Sequence, residues 1–324
     1  MKKYCVGLDV GGTNLKAGLL STRGKLLDQF VMPLIDKDKT EAGMVKAAER
    51  TSRQLLKRSN LEVEDLVGIG IGIAGVIDGR QGIITQSPQF PLWKNFALSG
   101  KLSSRLGLPV VMENDVNAIG RGEQWVGAVR GENNFIGLAI GTGLGGVICL
   151  DGKIWSGVDG MAGELGHITV EPNGPQCNCG TKGCLESFAS STALVREVKK
   201  DRYKPVLSRI EKDSQIPFTL AQLAHEGDKK AQAYWDKVGW AIGVALGGLL
   251  NALNVKVVFF GGGLSHSFDL FRPALEKELP RRAFPAVVRG VEFRVSELWD
   301  DAGVYGAASL LLQSVSASRK KYKG

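Results

Sequence analysis

Three of the five cysteines in this 324-residue chain fall within eight positions, as Cys177-x-Cys179-x4-Cys184, and His167 stands ten residues upstream. Three thiolates and an imidazole over so short a span form the donor set of a closed, tetrahedral Zn²⁺ site. Gly174, Gly180 and Gly183 let the chain wrap around the ion. With all four positions filled by protein, such a metal holds no water, so it shapes a loop and performs no chemistry. Glu164 and Glu186 bracket the loop, and a third carboxylate, Asp115, follows Asn114 at the end of a short apolar run. Carboxylates and an amide suit a sugar, because each accepts from or bridges neighbouring hydroxyls. Asp115 is the natural general base to take the proton of an attacking hydroxyl during phosphoryl transfer. It is also suited to cap a helix beginning at Val116, and the two roles are compatible.

Glycine clusters supply the complementary chemistry. Asp9-Val10-Gly11-Gly12-Thr13-Asn14 lies between two predicted strands, where a tight glycine turn can aim backbone amides at a phosphate. Asp9 at the strand end is placed to hold Mg²⁺, directly or through water, and Thr13 and Lys16 to donate to phosphate oxygens. An ordinary hairpin turn would carry the same residues. Gly141-Thr142-Gly143-Leu144-Gly145-Gly146 forms a second turn. It matches the dinucleotide fingerprint, but the fingerprint must open a helix, whereas Val147–Leu150 reads as a strand. The same pattern recurs at Gly70–Gly75, and no P-loop signature occurs. Gly261-Gly262-Gly263 closes a buried strand and would let a flat base or ribose lie against backbone. Together the three clusters describe a nucleotide clamp.

The elements that position these groups follow from hydrophobic period. Tyr4–Asp9, Leu15–Ser21 and Lys25–Met32 read as strands, residues 41–58 as a helix, Leu66–Ile73 as a strand buried on both faces. A helix over 96–106 and a strand over 109–112 complete a βββαβαβ series ending at Glu113-Asn114-Asp115. The pattern restarts with strands at 133–140 and 147–150 around a glycine turn. Helices follow near 191–200, 220–225 and 229–253, then a strand at 255–260, a helix at 268–279 and a strand at 290–296. The last helix, from about 302 to 313, carries Gly303, Gly306, Ala307 and Ala308, suited to close packing. Two halves built alike imply a duplicated α/β architecture with a cleft between lobes. The expected lobes are residues 1–115, completed by about 300–324, and 116–299.

Composition excludes several classes. The 44% hydrophobic and 23% charged content is that of a soluble globular chain, and the 43 glycines are clustered, marking turns and not low complexity. The formal charge of +8 falls partly on Arg319, Lys320, Lys321 and Lys323, which reads as a solvated end and gives no reason to expect nucleic acid. The N-terminus reaches Asp9 before any signal-peptide core, and the small-apolar run Trp240–Leu253 would span about 20 Å as a helix, too short for a bilayer. No membrane partner and a cytoplasmic location are therefore expected, with reduced cysteines.

These motifs resemble the ROK family (repressors, open reading frames and kinases), specifically its zinc-containing bacterial glucokinases. They stand in family order along essentially the whole chain: DVGGTNLKAGLL, ENDVNAIGRGE, IGTGLGGVI, MAGELGHITV, CNCGTKGCLE, FGGGLS and DAGVYGAASL. The resemblance implies a two-lobed, actin-like (ribonuclease-H-like) ATPase fold with a duplicated βββαβαβα core and a zinc-binding loop. It implies Asp115 as catalytic base and Gly75, Asn114, Asp115, Glu164, His167 and Glu186 around a hexose, with His167 both ligating zinc and facing the sugar. The phosphate turns map onto Asp9–Asn14 and Gly141–Gly146, with ATP and Mg²⁺ as cofactors. A homodimer or homotetramer is expected on the same ground. Many glucokinases carry Asn-Leu before the first-lobe Trp, where this chain reads Pro88-Gln89-Phe90-Pro91-Leu92-Trp93. That region borders the sugar pocket, so N-acetylhexosamine and fructose kinases stand beside glucokinase as alternatives. The family's repressors carry an added helix-turn-helix ahead of the first glycine turn, for which the turn at Asp9 leaves no room.

Overall fold

The computed structural model describes residues 2–321, with side chains through residue 316, so the basic side chains of Arg319, Lys320, Lys321 and Lys323 lie outside the described residues. The chain forms two compact units. One comprises the residues up to Glu132, Lys153–Ala162 and those from Asp300 onward; the other comprises Asn133–Gly152 and Gly163–Trp299.

In the first unit, β1 (Tyr4–Val10), β2 (Asn14–Ser21) and β3 (Leu26–Pro33) form an antiparallel meander. Helix α1 (Glu41–Arg58) begins where the Thr40 hydroxyl accepts the Gly43 amide at 3.0 Å. It buries Met44, Val45, Ala48, Leu55 and Leu56 and leads into β4 (Leu66–Ile73), parallel to β1. After β5 (Val76–Asp78) and β6 (Ile83–Gln86), a small hairpin absent from the sequence reading, come α2 (Leu98–Leu106), β7 (Val110–Asn114) and α3 (Asp115–Val126). The sheet order β3-β2-β1-β4-β7 is that of the expected ribonuclease-H-like fold. Two-residue β10 (Lys153–Ile154) also falls in this unit.

The two faces of this sheet are built differently. On β4, Ile69, Ile71 and Ile73 point to a core shared with Val6, Leu8, Met44 and Leu102. The alternate positions are Gly68, Gly70 and Gly72, and against them lies the terminal helix α10 (Ala302–Lys321). A methyl group on Gly70 would sit 1.7 Å from the Ala307 carbonyl oxygen, and one on Gly7 would sit 2.1 Å from that of Val304. In the run Gly70–Gly75, which only mimics a nucleotide fingerprint, Gly70 thus seats α10, Gly72 meets Ala118 of α3, and Gly75 meets the Gln86 carbonyl. Helix α10 also crosses α3 at minimal distance: a methyl on Gly306 would meet the Ala118 carbonyl at 1.6 Å, and one on Gly122 would meet that of Ala302 at 2.3 Å. The first unit runs past residue 115, through α3, to Glu132, and α3 lies against α10 at Ala118 and Gly122 and against Gly72 of β4 at Ala118.

In the second unit, β8 (Phe135–Ile140) and β9 (Leu144–Leu150) form a hairpin, and β11 (Val257–Gly261) and β12 (Glu292–Val295) add in parallel, in the order β9-β8-β11-β12. Strand β9 begins at Leu144, three residues before the expected start, and its pairing with β8 rules out the strand-to-helix turn of a dinucleotide site. Between the hairpin and β11 stand α4 (Ser191–Lys200), α5 (Lys204–Leu207), α6 (Ile216–His225) and α7 (Lys229–Leu253); α8 (Phe268–Arg282) and α9 (Pro285–Val288) precede β12. Helix α7 has the bounds its sequence implies, capped by Asp228 accepting the Lys230 and Ala231 amides at 2.8 and 3.0 Å and closed by left-handed Asn254. Its small residues seat α8, since a methyl on Gly239 would lie 2.1 Å from the Phe271 carbonyl. Among the described residues no helix is long and apolar enough to cross a membrane.

The close approach of α10 to β4 gives a direct test. Gly70→Ala forces the α10 backbone away and is expected to destabilise by about 3 kcal/mol or more. Gly100→Ala, on α2 with open space around it, is expected to stabilise by about 0.5–1 kcal/mol. Chemical denaturation of both variants checks the pair, and equal effects would contradict the packing described.

Candidate functional site

In the first unit the glycine turn between β1 and β2 is closed by the Gly11 amide donating to the Asn14 carbonyl at 2.9 Å. Thr13 and Asn14 are exposed at its tip, and a methyl on Gly12 would approach the Gln89 side-chain oxygen at 2.8 Å. Asp9 ends this strand on the side facing α10, where a methyl on Gly303 would touch its carboxylate at 2.8 Å. Burial, then the neighbouring Asp115 carboxylate and Asp300, push the Asp9 carboxyl up to about 7, while Lys16 pulls it the other way. Lys16, expected to reach phosphate, donates to the Asp300 carbonyl and lies 3.7 Å from the Asp301 carboxylate. Asp300 was not singled out by sequence; the acidic pair opening a small-residue helix was the available signal.

Asn114 and Asp115 sit where β7 passes into α3. The cap is Asn114, whose side-chain oxygen accepts the Val116 amide at 2.9 Å and the Asn117 amide at 3.3 Å. Asp115 is the first helical residue and accepts the Val116 amide at 3.0 Å, so the capping role considered for it passes one residue back. Asn114 Nδ2 donates at 3.3 Å to the carbonyl of Gly75, a residue at φ +145° whose methyl would lie 2.4 Å from the Gln86 carbonyl. Gly75, Asn114 and Asp115 are therefore brought together, and Asp9 adjoins Asp115. In the segment Pro88–Trp93, Phe90 and Trp93 are buried and stack at 4.0 Å while Leu92 is 90% exposed.

In the second unit His167, Cys177, Cys179 and Cys184 bring one donor atom each within 4.8 Å of one another. His167 Nδ1 lies 3.7 Å from Cys177 Sγ, and Cys179 Sγ lies 3.6 Å from Cys184 Sγ. Tetrahedral bonds of about 2.3 Å to a common ion would separate sulfurs by about 3.8 Å, so the cluster fits Zn²⁺. The loop is pinned by the Val170 amide on the Gly183 carbonyl and the Leu185 amide on that of Ile168, each at 2.8 Å. Gly183, at φ +68°, admits no side chain, since a methyl there would sit 1.6 Å from the Glu171 carbonyl. The Thr181 hydroxyl, 3.2 Å from Cys179 Sγ, draws that thiol down to about 6, favouring the thiolate that binds metal.

The imidazole of His167 works in two directions. With Nδ1 among the thiols, Nε2 lies 3.8 Å from the exposed Glu164 carboxylate. Glu186, two residues past Cys184, turns toward the second glycine turn, where its Oε2 accepts the Leu144 amide at 2.8 Å. That turn rests on the start of α4: the Ser191 amide donates to the Gly141 carbonyl at 2.9 Å and the Thr192 hydroxyl to the Thr142 carbonyl at 2.7 Å. Gly261 ends β11, and Gly262, at φ +78°, lies so near that a methyl would meet the Ile140 carbonyl at 2.6 Å. The Gly261–Gly263 ledge thus borders the Gly141–Gly146 turn. Thr192 escaped the sequence reading, although Ser190-Ser191-Thr192 is a visible helix-start signal. His225 and His266 lie at the surface, away from the cluster, paired with Asp269 at 2.7 Å and stacked on Trp299 at 4.0 Å respectively.

Comparison with known proteins gives a consistent answer. A glucokinase of Thermotoga maritima is 36% identical over 319 residues, covering 97% of this chain and 99% of that protein. A xylose repressor of Caldicellulosiruptor bescii is 29% identical over 96% of this chain and 78% of the repressor. The structure of a ROK family glucokinase from Streptomyces griseus in complex with glucose and AMPPNP superposes with a TM-score of 0.78 at 30% identity, covering 96% of this chain and 99% of that one. Residues 5–314 match the ROK family, and the chain, with its His-Cys₃ cluster and actin-like α/β fold, belongs to that family.

Proposed function

We propose that this protein is an ATP-dependent hexose kinase that phosphorylates the 6-hydroxyl of glucose. The observation that carries the reading is the two-sided His167: one ring nitrogen among three thiols, the other toward Glu164, ties a zinc loop to a carboxylate suited to sugar hydroxyls. The Thermotoga maritima glucokinase, similar over nearly its whole length, supports glucose as the hexose. N-acetylhexosamines and fructose are the competing acceptors.

In this reading Asn114, Glu164, His167 and Glu186, with the backbone of Gly75, hold the sugar. Asp115 takes the proton of the attacking hydroxyl as the bond to the γ-phosphate of Mg·ATP forms and that to ADP breaks. Asp9 supports the Mg²⁺ that accompanies the nucleotide. The turns at Gly11–Asn14 and Gly141–Gly146 present amides to phosphate, and Gly261–Gly263 borders the nucleoside. Zinc, held by His167, Cys177, Cys179 and Cys184, keeps the loop in shape. We further propose a cytoplasmic homo-oligomer. A sugar-sensing regulator, suggested by the similar xylose repressor, would bind the sugar without turnover.

Three measurements test this. A coupled ADP-release assay over glucose, mannose, fructose, N-acetylglucosamine and N-acetylmannosamine is expected to give the highest kcat/KM with glucose; no turnover on any sugar sinks the kinase reading. Asp115→Asn is expected to lower kcat about 10²–10⁴-fold with little change in sugar KM. Metal analysis of reduced protein is expected to find about one zinc per chain, and its absence would overturn the Cys/His assignment.

A further prediction concerns Asp9, whose carboxyl is raised to about 7 in the fold against an ordinary 3.8. The folded state holds that proton more tightly, so its stability falls as pH rises from about 4 to about 7 and is level above. Asp9→Asn removes this loss. Its melting temperature, without ligands, is expected to exceed the parent's by several degrees above pH 7, with the gain vanishing toward pH 4. A pH-independent difference would contradict the buried-carboxylate description.

A further inference from the structure

We infer that Glu186 is a positioning residue for the nucleotide-phosphate turn Gly141–Gly146, acting through the Leu144 amide. The inference rests on the kinase reading and adds a role to a residue placed there only on the sugar.

The argument follows the peptide planes of the turn. In a trans peptide the carbonyl and the following N–H point in opposite directions. The Gly141 carbonyl accepts from the Ser191 amide and the Thr142 carbonyl from the Thr192 hydroxyl, so both face the start of α4. The amides of Thr142 and Gly143 therefore point away from α4, toward the side where a phosphate can be received. The next plane is fixed differently. The Gly143 carbonyl accepts the Gly141 amide at 2.9 Å, which turns the Leu144 amide outward, and that amide is held by Glu186 Oε2 at 2.8 Å. Thus α4 orients two peptides and Glu186 orients the third.

A second observation is independent of the hydrogen bond. A methyl on Gly143 would sit 2.4 Å from the same Glu186 oxygen, while no backbone angle at this residue demands glycine. The missing side chain at Gly143 is the space that the carboxylate occupies. Glu186 itself is firmly seated: it lies in the single helical turn Leu185–Ser187 that starts at Cys184, with the Leu185 amide on the Ile168 carbonyl at 2.8 Å. A carboxylate near a phosphate site costs repulsion, yet Gln retains an acceptor and lacks the charge. This separates the two effects.

The test is calorimetric titration of the whole protein with Mg·ADP and no sugar. Glu186→Ala is expected to weaken ADP binding about tenfold or more, the loss of one hydrogen bond to a charged group, and Glu186→Gln to stay within a few-fold of the parent. Gly143→Ala, which displaces the carboxylate without touching it chemically, is expected to weaken ADP as Glu186→Ala does. The double variant should be no weaker than either alone. Unchanged ADP affinity in Glu186→Ala would overturn the inference, as would tighter binding in both Ala and Gln, which would mark the carboxylate as a repulsive element. If the parent itself binds no ADP, the nucleotide reading fails first, a result distinguishable from a parent that binds and variants that do not differ.

Discussion

Backbone lying directly on backbone is the constraint from which the first unit takes its form. A helix usually stands off a sheet by the thickness of two side-chain layers, but α10 lays its backbone at Val304 and Ala307 directly on Gly7 and Gly70, and its Gly306 on the backbone of α3 at Ala118. Dispersion between close-packed atoms replaces the apolar area that larger residues would bury. The gain is positional: with so little room to shift, the helix sets the surroundings of Asp9, whose carboxylate meets Gly303, and of α3, which carries Asp115 on its first turn. The opposite face of the same sheet is an ordinary aliphatic core of Val6, Leu8, Ile69 and Ile71. One face supplies stability by area, the other precision by contact.

The zinc loop solves a similar problem by other means. Between Val170 and Cys184 the chain runs through short turns and an isolated bridge, with no large apolar side chain to anchor it. Donor atoms drawn to one centre substitute for a local core. His167 lies 3.8 Å from the Glu164 carboxylate and Cys184 opens the turn carrying Glu186, so the cluster orders one carboxylate by contact and the other from two residues away along the chain.

How much of this could be read from sequence depends on range. The His-Cys₃ cluster, the glycine turns and α7 were legible because each is local: ligand spacing, turn chemistry and a long period need no knowledge of partners. The alternation in Leu66–Ile73 was visible too, but its meaning was not. Three glycines on alternate positions look like a weak fingerprint until the partner helix, some 230 residues onward, is placed against them. The same blindness to distance hid the engagement of Lys16 by Asp300 and Asp301, whereas the cap at Asn114 in place of Asp115 is a local shift of one residue. The hairpin of β5 and β6 is too short to give a periodic signal.

The location of α10 also sets an order of events on the ribosome. The first unit is begun by residues that precede the second unit and finished by residues that follow it, so during synthesis its glycine-lined face stays bare while the whole second unit emerges. Strands β1 and β4 then expose backbone that no side chain shields, at the stage when nascent chains are most prone to pair with one another. The second unit, whose residues are complete by Trp299, can fold before the first is closed. The surroundings of Asp9 and Asp115 are thus set only once α10 has been made, and a chain cut before Asp300 would keep its His-Cys₃ loop but lack that frame.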